Sequence, residues 1–291
     1  MTVIDAHQHF WWQDRRPHSW PPAAKATLDR DYTPDDLFAA MTAAGVAGTV
    51  LMQSLNDADE SDEYLDLADA TPWILGVVGW LPLRDPAATA RALERLSGRR
   101  KLVGMRHLIN FEPDPAWLLA PQVQEAVGLI AQAGLVFDAV PNDAARFAAV
   151  LATAERYPGL SVVLDHLARP PIGGGDEKAW ADMIARAAAL PNVAIKLSVG
   201  LDVVLAWRWR TDEVRPFADQ VLARFGPDRV MAASNWPVSL LGGSYGTIWS
   251  GIADIVARFD PAAVPAVMGG TCRRLFRLPA AADTGRRHGA L

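Results

Sequence analysis

Val3-Ile4-Asp5-Ala6-His7-Gln8-His9 opens the chain, and a matching apolar run over 230–234 leads into Asn235-Trp236-Pro237. On a strand, residues i and i+2 project from one face, so the imidazoles of His7 and His9 can converge on a single point. Between these two runs lie six more, at 48–54, 74–80, 102–108, 135–140, 161–166 and 193–198. All eight are short, built mostly of Val, Ile, Leu and Ala, and lack clean polar alternation. Strands buried on both faces of a parallel sheet have this composition.

The segments between the runs carry helix punctuation. Thr33-Pro34 sets a capping residue before a proline at the first helical position. Leu37, Phe38, Met41 and Ala44 then form an apolar stripe, and Gly45 sits where a left-handed cap ends the helix. Asp85-Pro86 repeats the start signal, Asn142 is placed to cap a further helix, and Pro191-Asn192 stops another. Eight strands alternating with helices predict an α/β protein, a single-domain (β/α)8 TIM barrel over residues 1–278. The small, polar, basic residues 279–291 are predicted to form a flexible tail. A doubly wound open sheet would show a glycine-rich turn after the first strand, where this chain has His-Gln-His.

Composition narrows the function classes. The 291 residues carry a formal net charge of -5 with no basic stripe, which argues against a nucleic-acid partner. No apolar stretch is long enough to span a bilayer, and no basic segment followed by an apolar run opens the chain. Cys272 is the single cysteine, so neither an internal disulfide nor a multi-cysteine zinc site can form. These features read as a soluble cytoplasmic protein without a membrane partner.

Polar residues of chemical competence cluster where the strands end: His7, His9, Gln53, Trp80, Arg106, His107, Asp138, Asp165, His166, Lys196 and Asn235. In a barrel, the C-terminal strand ends are the catalytic face. Histidines satisfied by backbone partners in the core are the competing reading for His7, His9 and His166. Lys196, inside Ala194-Ile195-Lys196-Leu197, costs several kcal/mol in a doubly buried strand unless it is paired or faces a polar cavity. Arg106 and His107 are adjacent, so only one faces inward. Two long connections, 10–32 and 200–210, carry Trp11, Trp12, His18, Trp20, Trp207 and Trp209. They suit pocket walls, or packing on the rim or, in a homo-oligomer, on a neighbouring subunit.

Several motifs in order carry a family resemblance: Asp5-Ala6-His7-Gln8-His9-Phe10-Trp11, Gly104-Met105-Arg106-His107 and Leu164-Asp165-His166-Leu167-Ala168-Arg169-Pro170-Pro171-Ile172. Ile195-Lys196-Leu197-Ser198, Phe225-Gly226-Pro227-Asp228-Arg229-Val230-Met231, Ser234-Asn235-Trp236-Pro237-Val238 and Gly243-Ser244-Tyr245 continue it to about residue 278. The chain resembles the amidohydrolase superfamily, in the branch of L-fuconolactone and L-rhamnonolactone hydrolases. That resemblance implies hydrolysis of a sugar lactone, a small-molecule substrate, by water attack on the cyclic ester.

The resemblance puts the catalytic positions on His7, His9, His166 and Asn235. Substrate contacts are expected from Gln53, Trp80, Arg106, His107, Asp138, Lys196 and Trp236. One divalent metal ion, zinc foremost, is expected on His7, His9 and His166, unless catalysis is metal-free. Where the family has its general-base aspartate, this chain has Asn235, whose amide cannot take a proton near neutral pH. Three readings stay open: an engineered Asp-to-Asn variant, a natural member using a histidine base, or a sugar-binding protein without hydrolysis. The same superfamily also holds pyrone-dicarboxylate lactonases and metal-dependent decarboxylases, and the motifs admit either activity in place of sugar-lactone hydrolysis. Gly270-Thr271-Cys272 is a smaller departure, expected to touch only a helix start.

Overall fold

Eight strands alternate with helices in the predicted order. In this computed structural model, which describes residues 2–279, the chain begins with β1 (Ile4–Gln8), α1 (Pro22–Leu28), α2 (Pro34–Ala43), β2 (Gly48–Met52) and α3 (Ala58–Ala70). Then follow β3 (Ile74–Gly79), α4 (Pro86–Leu96), β4 (Leu102–Arg106), α5 (Pro121–Gln132), β5 (Val136–Ala139) and α6 (Ala144–Arg156). The remainder holds β6 (Val162–Leu164), α7 (Glu177–Ala189), β7 (Val193–Leu197), α8 (Leu201–Val204) and α9 (Thr211–Phe225). It ends in β8 (Val230–Ala232), α10 (Tyr245–Phe259) and α11 (Thr271–Leu275). The expected tail lies, from residue 280 on, outside the described residues.

Each strand pairs in parallel with its sequence neighbour, in the order β1 to β8. The last strand returns to the first through a bridge between Gln8 and Trp236. There the His9 N–H donates to the Trp236 carbonyl at 2.8 Å and the Asn235 N–H to the His7 carbonyl at 2.9 Å. The molecule is a single-domain (β/α)8 barrel, and the two runs that predicted it are hydrogen-bonded to each other. Among the described residues no helix is long and apolar enough to cross a membrane.

The barrel is packed in two shells. Ile4, Ala6, Val50, Met52, Val78, Val163, Ala194, Met231 and Ala233 fill its interior, where Cys272 and Phe276 from the α11 segment join them. Leu51, Val77, Phe137, Val162, Ile195 and Val230 alternate with them and pack outward against the helices. This double burial explains the near-continuous apolar composition of the strands.

One irregularity aims the histidine pair. Asp5 pairs with Thr49 but Gln8 with Leu51, so β1 holds one residue more than β2 over that stretch. Strict alternation from Ile4 and Ala6 would send His7 outward. The extra residue reverses the phase, and His7 enters the barrel.

Two helix details depart from expectation. The cap of α6 is Asp143, not Asn142, its carboxylate accepting the Arg146 N–H at 2.8 Å. The buried stripe of α2 is Leu37 and Met41, whereas Phe38 is 49% exposed, one position off that face. Gly45 has φ +72°, the left-handed cap that its place in the sequence requires.

Candidate active site

At the C-terminal end of the barrel, β1, β4, β5, β6 and β7 bring a charged cluster together. Lys196 Nζ lies 2.5 Å from Asp138 Oδ2 and 3.0 Å from Asp165 Oδ1. Arg106 Nη1 donates to Asp165 Oδ2 at 2.9 Å, and Nη2 to the carbonyl of Gln53 and, at 3.2 Å, to its Oε1. Lys196 and Asp138 are fully buried. Burial and then the nearby Asp165 push the Asp138 carboxyl up to about 7, against the pull of Lys196. At Asp165 burial also works against the charge, but Lys196 and the contact with His7 outweigh it and hold the carboxyl well below its usual range.

His7 stands on this base. Its Nδ1 is 3.1 Å from Asp165 Oδ1 and its Nε2 is 2.9 Å from Nε2 of His9. His9 Nδ1 in turn faces the Met52 carbonyl at 3.1 Å. The Met52 carbonyl only accepts, so His9 Nδ1 carries hydrogen. His7 Nδ1 lies 3.1 Å from both the Asp165 carboxylate and the Lys196 ammonium, so its ring hydrogen can sit on Nδ1 or on Nε2. Burial lowers both imidazoles well below their ordinary range, so both are neutral. With hydrogen on His7 Nδ1, the two Nε2 lone pairs point at each other across 2.9 Å. That is repulsive in itself and is the arrangement in which neutral imidazoles ligate a cation. The ligand atoms of His7, Asp165 and His166 also lie within 4.8 Å of one another. The residues present fit a divalent metal ion.

Above the cluster opens a cavity of about 350 Å³, lined by His9, Arg106, His166 and Asn235 together with Trp11, His18 and Trp20 of the first long loop. His166 begins a run of four residues with positive φ, from 50° to 59°, ending at Arg169. Its Nδ1 lies 2.8 Å from Ser198 Oγ. Burial lowers this imidazole to about 4, so it is neutral and able to accept a proton. Asn235 sits at φ +56°, a conformation that asparagine tolerates. Its Nδ2 donates to the Val199 carbonyl at 2.9 Å. That contact fixes the amide with Oδ1 as its remaining acceptor.

The predicted site residues separate into three groups. His9, His166, Asn235 and Arg106 line the cavity. His7, Lys196, Asp138 and Gln53 lie in the layer beneath, engaged with their neighbours there rather than lining it. Trp80, His107 and Trp236 point elsewhere. His107 accepts the Trp80 Nε1–H at 3.0 Å, contacts Glu112 at 2.7 Å and stacks on Trp117, because Arg106 takes the inward position. Trp80 and His107 border a separate cavity with Glu112. Trp236 packs edge-on against Phe10 and Tyr32 under the first loop. These three residues, expected to contact substrate, do not border the cavity that His9, His166, Asn235 and Arg106 line.

Asp165 is a site residue to which the strand-end pattern alone assigns no role. A carboxylate at a strand end is the same signal that marks its neighbours. Ser198, which orients His166, carries no such signal. Trp207 and Trp209 donate to Glu213 at 2.6 Å and Thr211 at 3.1 Å and do not border the cavity.

The amidohydrolase family model matches residues 4–278. An L-fucono-1,5-lactonase from Burkholderia ambifaria is 35% identical over 94% of this chain and 95% of its own length. A second, from Burkholderia multivorans, is 33% identical over 96% of this chain and 97% of its own. An amidohydrolase crystal structure from Burkholderia multivorans with bound zinc superposes with a TM-score of 0.83 at 31% identity, covering 96% of this chain and all of that one. The chain belongs to the amidohydrolase family.

Proposed function

We propose that this protein hydrolyses a sugar lactone to the corresponding sugar acid, with a histidine in place of the carboxylate base. The observation that carries the reading is the convergence of His9, His166, Arg106 and Asn235 on one cavity. With the Nδ1 hydrogen of His166 donated to Ser198, Nε2 keeps a lone pair for the proton of the attacking water. Asn235 Oδ1 accepts that water's second hydrogen and orients it. The Arg106 guanidinium supplies fixed positive charge where the carbonyl oxygen becomes an oxyanion. A divalent ion would be held by Nε2 of His7 and His9, and when bound it supplies Lewis-acid polarisation and more acidic water.

The cavity wall supports this substrate class. Among the described residues, Trp20 Nε1, Asn110 Oδ1 and Arg169 Nε are buried without partners, on residues that line the cavity. Unpaired polar atoms cost about 1–3 kcal/mol each, and small rearrangements toward a hydroxyl-rich ligand would satisfy them. The lactonase names of the relatives point the same way.

A pH-stat panel of aldono-1,5- and 1,4-lactones, headed by L-fucono-1,5-lactone, tests this reading against a pyrone dicarboxylate. Aldonolactone turnover is expected, falling about tenfold or more after chelation and returning with zinc. Turnover of the dicarboxylate alone would overturn it.

A further inference from the structure

A second group of polar side chains reaches the same cavity from its wall. His18 Nε2 lies 2.9 Å from Ser54 Oγ, which is in turn hydrogen-bonded to Glu60 Oε1. His18 and Ser54 line the cavity, whereas Glu60 is only 1% exposed. The other oxygen of Glu60 accepts the N–H groups of Ser54 at 2.8 Å and Leu55 at 3.2 Å. This places a buried carboxyl directly behind a serine hydroxyl at the cavity surface.

The protons can be counted. His18 Nδ1 faces the Arg16 carbonyl at 3.0 Å and so carries hydrogen, leaving a lone pair on Nε2. The two contacts of Ser54 Oγ need two hydrogens, and its own hydroxyl supplies one. The second sits on Glu60 or on His18. Burial raises the Glu60 carboxyl and lowers the His18 imidazole to about 4, which favours Glu60. Other polar groups nearby are engaged. The Arg16 guanidinium pairs with Asp57 at 3.0 Å and Glu63 at 2.8 Å. The Tyr64 hydroxyl, 3.4 Å from Ser54 Oγ, donates to the Phe10 carbonyl. The resting chain runs from the Glu60 O–H to the Ser54 oxygen, and from the Ser54 O–H to His18.

We propose that Ser54, backed by Glu60, is the general acid that protonates the ring oxygen as the lactone opens. This rests on the lactone-hydrolysis reading and adds its second proton transfer. The carbon–oxygen bond of the tetrahedral intermediate breaks with its electron pair left on the ring oxygen. The Ser54 hydroxyl gives its proton to that oxygen, the Glu60 proton moves to Ser54, and Glu60 is left as a carboxylate. His166, protonated by the attacking water, and Glu60 are reset by one proton passing through solvent. His18 is a positioning residue that holds the hydroxyl toward the cavity.

Leaving-group dependence tests the assignment. An aliphatic alkoxide needs a proton on departure, whereas the phenolate released from dihydrocoumarin, like a tyrosinate with a pKa near ~10, needs it far less. In Glu60→Gln, the amide can still donate to Ser54 and accept the two N–H groups, but it has no proton to yield. We expect kcat/KM for an aldono-1,5-lactone to fall about 10²-fold or more, and for dihydrocoumarin at least ~10 times less. Should Glu60→Gln fail to fold, Ser54→Ala provides the same contrast with the loss of a single half-buried hydroxyl. Parallel losses on the two substrates, or no loss on the aldonolactone, would overturn the proposal. A wild-type protein inactive on every lactone would instead overturn the hydrolytic reading beneath it.

Discussion

Lys196→Met is expected to destabilise the barrel by about 3–5 kcal/mol. The ammonium is fully buried and lies 2.5 Å from Asp138 and 3.0 Å from Asp165. Methionine matches the stem in volume but leaves two carboxylates facing each other, with Arg106 and the neutral His7 ring beside Asp165 to compensate. Breaking one partner of such a group strands the other, and native domains have only ~5–15 kcal/mol in total. The loss should appear as a lower urea midpoint with an unchanged slope. Adding Asp138→Asn to Lys196→Met removes the stranded charge and should recover part of it. A midpoint close to that of the wild type would show that the cluster does not support the barrel. The strand pattern leaves Lys196 a choice between a structural pair and a substrate contact. Its side chain sits in an ion-pair network below the cavity.

His166→Gln carries the largest expected kinetic effect, a fall of about 10²–10⁴-fold in lactone kcat. Glutamine can keep a hydrogen bond to Ser198 but has no basic nitrogen. The backbone holding this residue is strained, since four successive non-glycine residues, His166 to Arg169, adopt left-handed angles. Each such residue costs roughly 1–2 kcal/mol, and strain of this kind concentrates where a side chain must be aimed. If His166 is the base, zinc content and unfolding midpoint should stay near their wild-type values while kcat falls. Loss of zinc in parallel with activity would make His166 a ligand instead.

The fold was legible because burial on both faces writes a strand as an uninterrupted apolar run, and eight such runs spaced by helix signals admit few topologies. The strands end one or two residues sooner than those runs, because residues such as Gln53 and His166 already belong to the turns that form the site. The phase reversal in β1 left no mark in the sequence. The pairing with His9, not alternation from Ile4 and Ala6, is therefore what marks His7 as facing inward. His107 and Trp80 carried the same strand-end signal as Arg106. Only the packing around Trp117 and Glu112 decides that they turn away from the cavity. Glu60 was invisible for another reason: it lies on α3, six residues beyond Ser54, and its role depends on where that helix docks.

Asn235 is the position on which the mechanism turns. Its Nδ2 donates to the Val199 carbonyl, so the surrounding backbone is arranged to hold an amide. An aspartate there would set one acceptor oxygen against another and lose that hydrogen bond, a difference of about 1–3 kcal/mol. Initial rates of L-fucono-1,5-lactone hydrolysis by the wild type and by Asn235→Asp, followed by pH-stat near neutrality, therefore test the central claim. The wild type should turn over, with the variant about tenfold slower. An inactive wild type beside an active Asn235→Asp would contradict the histidine-base mechanism, because the missing carboxylate would then be the base.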